Sequence, residues 1–174
     1  MRVHPVATLV AGTALVGGSF TLIGGNDASD GTVEQASAVT TTVTIRADEP
    51  VFTESEVMLT QGESFNITAS GTAKWTYKSG SVGPNGYPFP THKCGYDQYN
   101  PATPTGYLAP GLNCWSLVGR IGSSGVIFPV GTSLTMQSPV TGELYLGFND
   151  DYYPNNSGAF IATISVASGE GGAT

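Results

Sequence analysis

Positive charge is scarce in this chain: 6 lysine and arginine residues stand against 13 aspartate and glutamate residues, a net charge of −7 over 174 residues. A nucleic-acid-binding protein needs a basic face that neutralises phosphates, and so few cations cannot form one. We therefore exclude nucleic acid as a partner. An acidic surface instead favours a cation as a binding partner.

Cysteine is also scarce, since the chain has only Cys94 and Cys114. Two cysteines are too few for a cysteine-rich zinc site. Both lie in or beside a stretch rich in proline and glycine. If the chain is exported, a disulfide is the simplest interpretation, and two separately buried thiols are the alternative.

Helical patterning is absent after residue 40. Charged residues are only 11% of the chain, and 24 glycines, 11 prolines and many threonines take their place. Glycine and proline break helices, and β-branched threonine favours strands. The composition therefore predicts an all-β domain of short strands and tight turns.

The N-terminal residues form a separate segment with no charge from residue 6 to residue 23. Arg2 precedes this run and acidic residues follow it, a pattern typical of a secretory signal. Two alternatives remain open: a membrane anchor, and an arm that packs on the domain or on a neighbouring subunit. A secretory signal and a membrane anchor would both place the domain outside the cell. We assign residues 1–40 to this segment, 41–168 to the domain and 169–174 to a flexible tail.

Period-two alternation of apolar and polar residues begins near Thr41 and predicts strands that are buried on one face. Turn signals such as Gln61-Gly62 and Thr141-Gly142 separate them. This spacing predicts a jelly-roll-like β-sandwich with an apolar N-terminal extension. The predicted strands are residues 42–47, 54–59, 62–70, 115–121, 126–130, 133–137, 142–148 and 159–166.

Two loops interrupt the pattern. Residues 79–113 are rich in proline and glycine, and a loop of this length is often functional. Residues 149–158 lie between two clear strands and contain two carboxylates and three asparagine amides. Calcium takes six to eight oxygen ligands of mixed type, so this second loop suits it. Ordinary turn chemistry is the alternative explanation.

Three blocks of the chain resemble the PA-I-type galactophilic lectins of bacteria over residues 41–167. GESFNITASG at residues 62–71 resembles an early strand of that family, and CWSLVGRIG at 114–122 resembles its central strand. LYLGFND at 144–150, followed by NNSGAF at 155–160, resembles its calcium loop. This last block is the most specific of the three.

The resemblance implies a calcium site whose ligands are the side chains of Asp150, Asn155 and Asn156 and the carbonyls of Tyr152 and Trp75. Two hydroxyls of a galactose-like sugar would complete the shell. The loop is about two residues shorter than in the family, and Tyr152 occupies the place of a threonine. The carbonyl ligand of the loop is therefore that of either Tyr152 or Tyr153.

The same resemblance implies that Asp150, Asn155 and Tyr152 contact the sugar, together with a histidine before the central strand. His92 is the only candidate in the domain, and Asp97, Gln98 and Asn113 are weaker options. The loop around His92 does not resemble the family's loop. A surface histidine without a role in binding is the alternative.

The expected function is calcium-dependent carbohydrate binding by an exported domain. Whether the domain forms a homo-oligomer is left open by the sequence. A structural subunit of an extracellular filament or virion with a lectin-like fold is the second hypothesis. A glycoside hydrolase needs two carboxylates about 5–10 Å apart across the scissile bond. Asp150 and Asp151 are adjacent and would point apart in an extended chain, so we do not expect an enzyme.

Overall fold

The computed structural model describes residues 38–87, 94 and 106–167. Eight strands occur in this part of the chain, and all eight fall where the alternation predicts one. They are β1 Ala38–Arg46, β2 Thr53–Leu59, β3 Ser64–Lys74, β4 Leu117–Ile121, β5 Phe128–Pro129, β6 Ser133–Gln137, β7 Gly142–Phe148 and β8 Ser157–Ala167.

Two antiparallel four-stranded sheets form the domain, in the orders β1-β8-β3-β6 and β2-β7-β4-β5. The described residues contain no α-helix, only a 3-10 turn at Tyr153–Asn155. The prediction of an all-β sandwich is therefore confirmed. Strand β1 begins four residues before the predicted strand, and β5 is shorter than predicted.

The core lies between the sheets and contains the inward residues of the alternating patterns. Ile67 and Ile164 of one sheet and Leu144 and Leu146 of the other are completely buried. The Phe148 ring, at the end of β7, lies 5.6 Å from the Phe160 ring of β8. This contact joins the two sheets close to the loop that connects β7 to β8.

Among the described residues, no helix is long and apolar enough to cross a membrane. The apolar run at residues 6–23 lies outside the described part of the chain. Its assignment as a signal, anchor or assembly arm therefore stays a prediction, as does the tail at 169–174.

Candidate functional site

The loop at residues 149–156 crosses from one sheet to the other over one end of the sandwich. It leaves β7, which is central in its sheet, and enters β8, which is central in the other. The ends of three further strands meet it there. Leu117 of β4 pairs with Phe148, Lys74 of β3 pairs with Ser157, and the N–H of Ala47, after β1, donates to the Gly158 carbonyl.

Asp150 is buried at the centre of this loop, with 3% of its surface exposed. Its Oδ1 accepts hydrogen bonds from the indole Nε1 of Trp115 at 3.1 Å and from the backbone N–H of Asp151 at 2.9 Å. Burial raises the pKa of Asp150, and the charge of Asp151 adds to the rise, while the hydrogen bonds oppose it. The only salt bridge among the described residues joins Arg46 to Asp48, so no cationic side chain in this part of the chain pairs with Asp150.

Asn156 binds this carboxylate through its amide nitrogen. Its Nδ2 donates to Oδ2 of Asp150 at 2.7 Å and to the carbonyl of Ala47 at 2.9 Å. These two bonds fix the amide plane and direct Oδ1 away from both partners. That Oδ1 is buried and has no hydrogen-bond partner.

Asn155 Oδ1 is also buried and without a partner. A buried acceptor without a donor is unusual, because each such group loses its hydration without replacement. Two unpaired buried oxygens in the same short loop as a buried carboxylate are therefore an arrangement that a cation would stabilise. We conclude that Asp150, Asn155 and Asn156 fit a metal ion that binds oxygen.

The two tyrosines of the loop differ in their surroundings. Tyr153 braces the loop: its hydroxyl donates to the carbonyl of Asp150 at 2.8 Å, and burial raises the pKa of Tyr153 to about 12. Its own carbonyl accepts the N–H of Asn156 at 3.0 Å. Tyr152 has an extended backbone and is 60% exposed. Of the two carbonyls left open by the sequence, that of Tyr152 is therefore the better candidate ligand.

Trp75 and Trp115 stack beside the loop, with ring centroids 3.9 Å apart and planes inclined by 10°. Trp75 follows the end of β3, and Trp115 precedes β4. The two segments are far apart in sequence, so the stack ties β3 and β4 together next to Asp150. The Trp115 ring also has Tyr87 as a neighbour, with centroids 6.4 Å apart.

Asn149 has a structural role that the sequence does not reveal. Its side chain is completely buried: Oδ1 accepts the N–H of Ala109 at 2.8 Å, and Nδ2 donates to the Asn113 carbonyl at 2.9 Å. The sequence alone counts its amide among the oxygens of the loop. Alternation predicts that Asn149 faces away from the core, on the other side of the strand from Phe148. Its side chain is instead bonded by Ala109 and Asn113, which are distant in sequence, so no local pattern could identify this clamp.

Cys94 and Cys114 are joined in a disulfide, with their Cα atoms 5.3 Å apart. The carbonyl of Cys94 accepts the N–H of Gly111 at 2.7 Å, which fixes one turn of the loop against the bridge. Cys114 immediately precedes Trp115. The bridge therefore joins Cys94 and the turn at Gly111 to the segment that leads into the site.

The structure brings together five of the predicted site residues at one end of the sandwich: Asp150, Tyr152, Asn155 and Asn156 in the loop, with Trp75 beside it. His92, Asp97 and Gln98 lie outside the described residues, so a role for His92 stays a prediction. No group of three or more histidine, cysteine, aspartate or glutamate side chains that could hold a metal occurs in the described part of the chain. The candidate side-chain ligands in the loop are one carboxylate, of Asp150, and two amide oxygens, of Asn155 and Asn156.

No family model matches the chain, and no curated protein is similar to it. Among solved structures, the chain is similar to the N-terminal domain of EclA, described as a PllA-like lectin, with a TM-score of 0.53 and 24% identity. The match covers 72% of this chain and 95% of that chain. This similarity shows that the domain has a lectin-like β-sandwich fold.

Proposed function

We propose that the loop at residues 149–156 binds a calcium ion and that the domain binds carbohydrate through this ion. The observation that carries the proposal is that one short loop holds the buried Asp150 carboxylate and the buried, unpaired Oδ1 atoms of Asn155 and Asn156. Without a cation, these three side chains leave one buried carboxylate without a cationic partner among the described residues and two buried acceptors without a donor. An ion that binds them replaces the hydration that each has lost.

Calcium fits these donors better than the other common protein metals. All three side chains offer hard oxygen atoms, whereas zinc and copper sites use histidine or cysteine. Magnesium requires a nearly ideal octahedron and keeps most of its water. Calcium accepts mixed carboxylate, amide and carbonyl ligands with irregular geometry.

The number of donors leaves room for a sugar. Asp150, Asn155 and Asn156, with the carbonyls of Tyr152 and Trp75, supply about five oxygens, and calcium takes six to eight. Neighbouring hydroxyls of a sugar suit the remaining positions. The lectin-like fold favours a carbohydrate ligand. The resemblance to galactophilic lectins favours a galactose-like sugar.

Exposed aromatic rings around the loop support a carbohydrate ligand. Tyr152 is 60% exposed, Tyr77 is 80% exposed, and the Tyr77 hydroxyl donates to the Pro154 carbonyl within the loop. Tyr87, 50% exposed, lies beside Trp115. Flat amphipathic rings pack well against the C–H faces of sugars. The disulfide also agrees with an exported protein, because such bonds persist in oxidising compartments.

Binding to a glycan array in calcium and in EDTA tests this proposal and identifies the sugar. We expect binding to galactose-terminated glycans that EDTA abolishes and added calcium restores. Binding that is unchanged in EDTA would contradict the calcium-dependent mechanism. No binding to any glycan, with calcium bound, would leave a metal site but refute the carbohydrate function.

A further inference from the structure

Trp115 has a backbone conformation that its side chain does not favour. Its φ is 56°, in the left-handed region, and Glu56 is the only other non-glycine residue with positive φ in the described part of the chain. For a bulky residue this conformation is an outlier that the surrounding structure must stabilise. Such strain occurs preferentially where a binding site requires it.

The surroundings of Trp115 fix its position from three directions. Its backbone N–H donates to the Asn149 carbonyl at 2.7 Å, and its ring stacks on Trp75. Its indole Nε1 donates to Oδ1 of Asp150 at 3.1 Å. The other donor to this oxygen is the N–H of Asp151, within the same loop. Trp115 is therefore the side chain that ties the Asp150 carboxylate to the strand β4 region.

We propose that Trp115 is a positioning residue for the calcium site: its strained backbone allows the indole N–H to orient the Asp150 carboxylate for the ion. The inference rests on the proposed calcium site and assigns a role that the ligand set alone does not include. A hydrogen bond to a carboxylate ligand fixes its orientation before the metal binds and so reduces the ordering that binding requires. The disulfide at Cys114 and the Trp75 stack hold the indole in place.

A purely structural role for Trp115 is the competing explanation, because its ring also packs against the edge of the core. Two substitutions separate the roles. Trp115→Phe keeps a six-membered aromatic ring for the stack and removes the N–H donor together with the pyrrole ring. Trp115→Leu removes the stack as well. If packing alone matters, calcium affinity follows ring packing, so Phe resembles the parent and Leu does not.

Calorimetric titration of calcium into the full chain and both variants tests the proposal. We expect Trp115→Phe to weaken calcium binding about tenfold or more, as is usual for partners of metal ligands. Trp115→Leu should weaken it to a similar extent, while lowering the melting temperature in EDTA further than Phe does. Tyr145→Phe, which removes a hydrogen bond to Glu143 on the outer side of β7, is the matched control and should bind calcium like the parent.

Parental calcium affinity in Trp115→Phe would overturn the positioning role and leave the proposed function intact. Absence of calcium binding by the parent chain would overturn both. Should Trp115→Leu fail to fold, the comparison of Trp115→Phe with the parent still decides the question, because Phe preserves the stacked ring.

Discussion

The Nδ2 of Asn156 lies 2.7 Å from Oδ2 of Asp150, and this bond turns the amide so that its Oδ1 has no partner. A neutral amide could satisfy its oxygen elsewhere if it were free to rotate. The second bond, from Nδ2 to the Ala47 carbonyl, prevents that rotation. The loop therefore holds an acceptor ready for a ligand that the protein itself does not supply.

Calcium should stabilise the folded domain, because an ion that binds only the native state adds RT ln(1 + [L]/Kd) to the free energy of unfolding. At a hundredfold excess over Kd this is about 2.7 kcal/mol, which for a domain of this size raises the melting temperature by roughly 10 °C. Thermal unfolding followed by circular dichroism, in calcium and in EDTA, measures the shift. Superimposed curves would refute a calcium site, and magnesium in place of calcium should give a smaller shift.

Asn155→Ala should separate binding from folding. The Oδ1 of Asn155 makes no hydrogen bond, so its removal should leave the melting temperature in EDTA unchanged or slightly higher. In calcium, the same variant should lose most of the ion-dependent stabilisation, because one ligand is missing. Differential scanning calorimetry in both buffers gives the two numbers. A large loss of stability in EDTA would instead indicate a structural role for this side chain.

The stability of the metal-free domain and its affinity for calcium should depend on pH in opposite directions. Burial raises the pKa of Asp150 in the folded state, so without metal the folded chain binds this proton more tightly than the unfolded chain. The contribution of Asp150 to the free energy of unfolding therefore falls as pH rises through its raised pKa. Calcium competes with the same proton, so its affinity should fall as pH drops towards that pKa, above the ordinary value of 3.8. Calcium titrations from neutral to acidic pH test this, and an affinity that does not change would contradict it.

Replacing Cys94 and Cys114 with serine should destabilise the domain. The bridge closes a loop between residues 20 positions apart, and its removal should cost about 3 kcal/mol through the entropy of the unfolded chain. Chemical denaturation of the double variant and of the parent measures this loss. Calcium affinity should also fall, because Trp115 follows Cys114 directly. Equal denaturation midpoints would show that the bridge does not form in solution.

The sheets could be predicted from the sequence because burial on one face imposes strict alternation. Phe65 and Ile67, or Leu144 and Leu146, each mark a strand without knowledge of the partner strand. Strand ends were harder to predict. The sequence predicts a strand that begins at Trp115, but this residue has a left-handed backbone and lies before β4. No local pattern indicates positive φ in a tryptophan.

The site could be predicted in part. The short spacing of Asp150, Asn155 and Asn156 places these residues on one loop between two recognisable strands. The contacts of Asn149 and Trp115 depend on a long loop that returns to the site from elsewhere in the chain. Alternation carries no information about such contacts, so neither the Asn149 clamp nor the bond from Trp115 to Asp150 was predicted.

Titration calorimetry with galactose tests the central claim most directly, with the parent chain, Asp150→Ala and Asp151→Ala compared in calcium. Asp150 is buried among the proposed ligands, whereas Asp151 is exposed and gives a matched loss of one carboxylate. We predict weak binding by the parent, because one site makes few contacts and each displaces water. Asp151→Ala should bind nearly as well, and Asp150→Ala should bind neither calcium nor galactose. Galactose binding by a folded Asp150→Ala variant with the affinity of the parent would contradict the account.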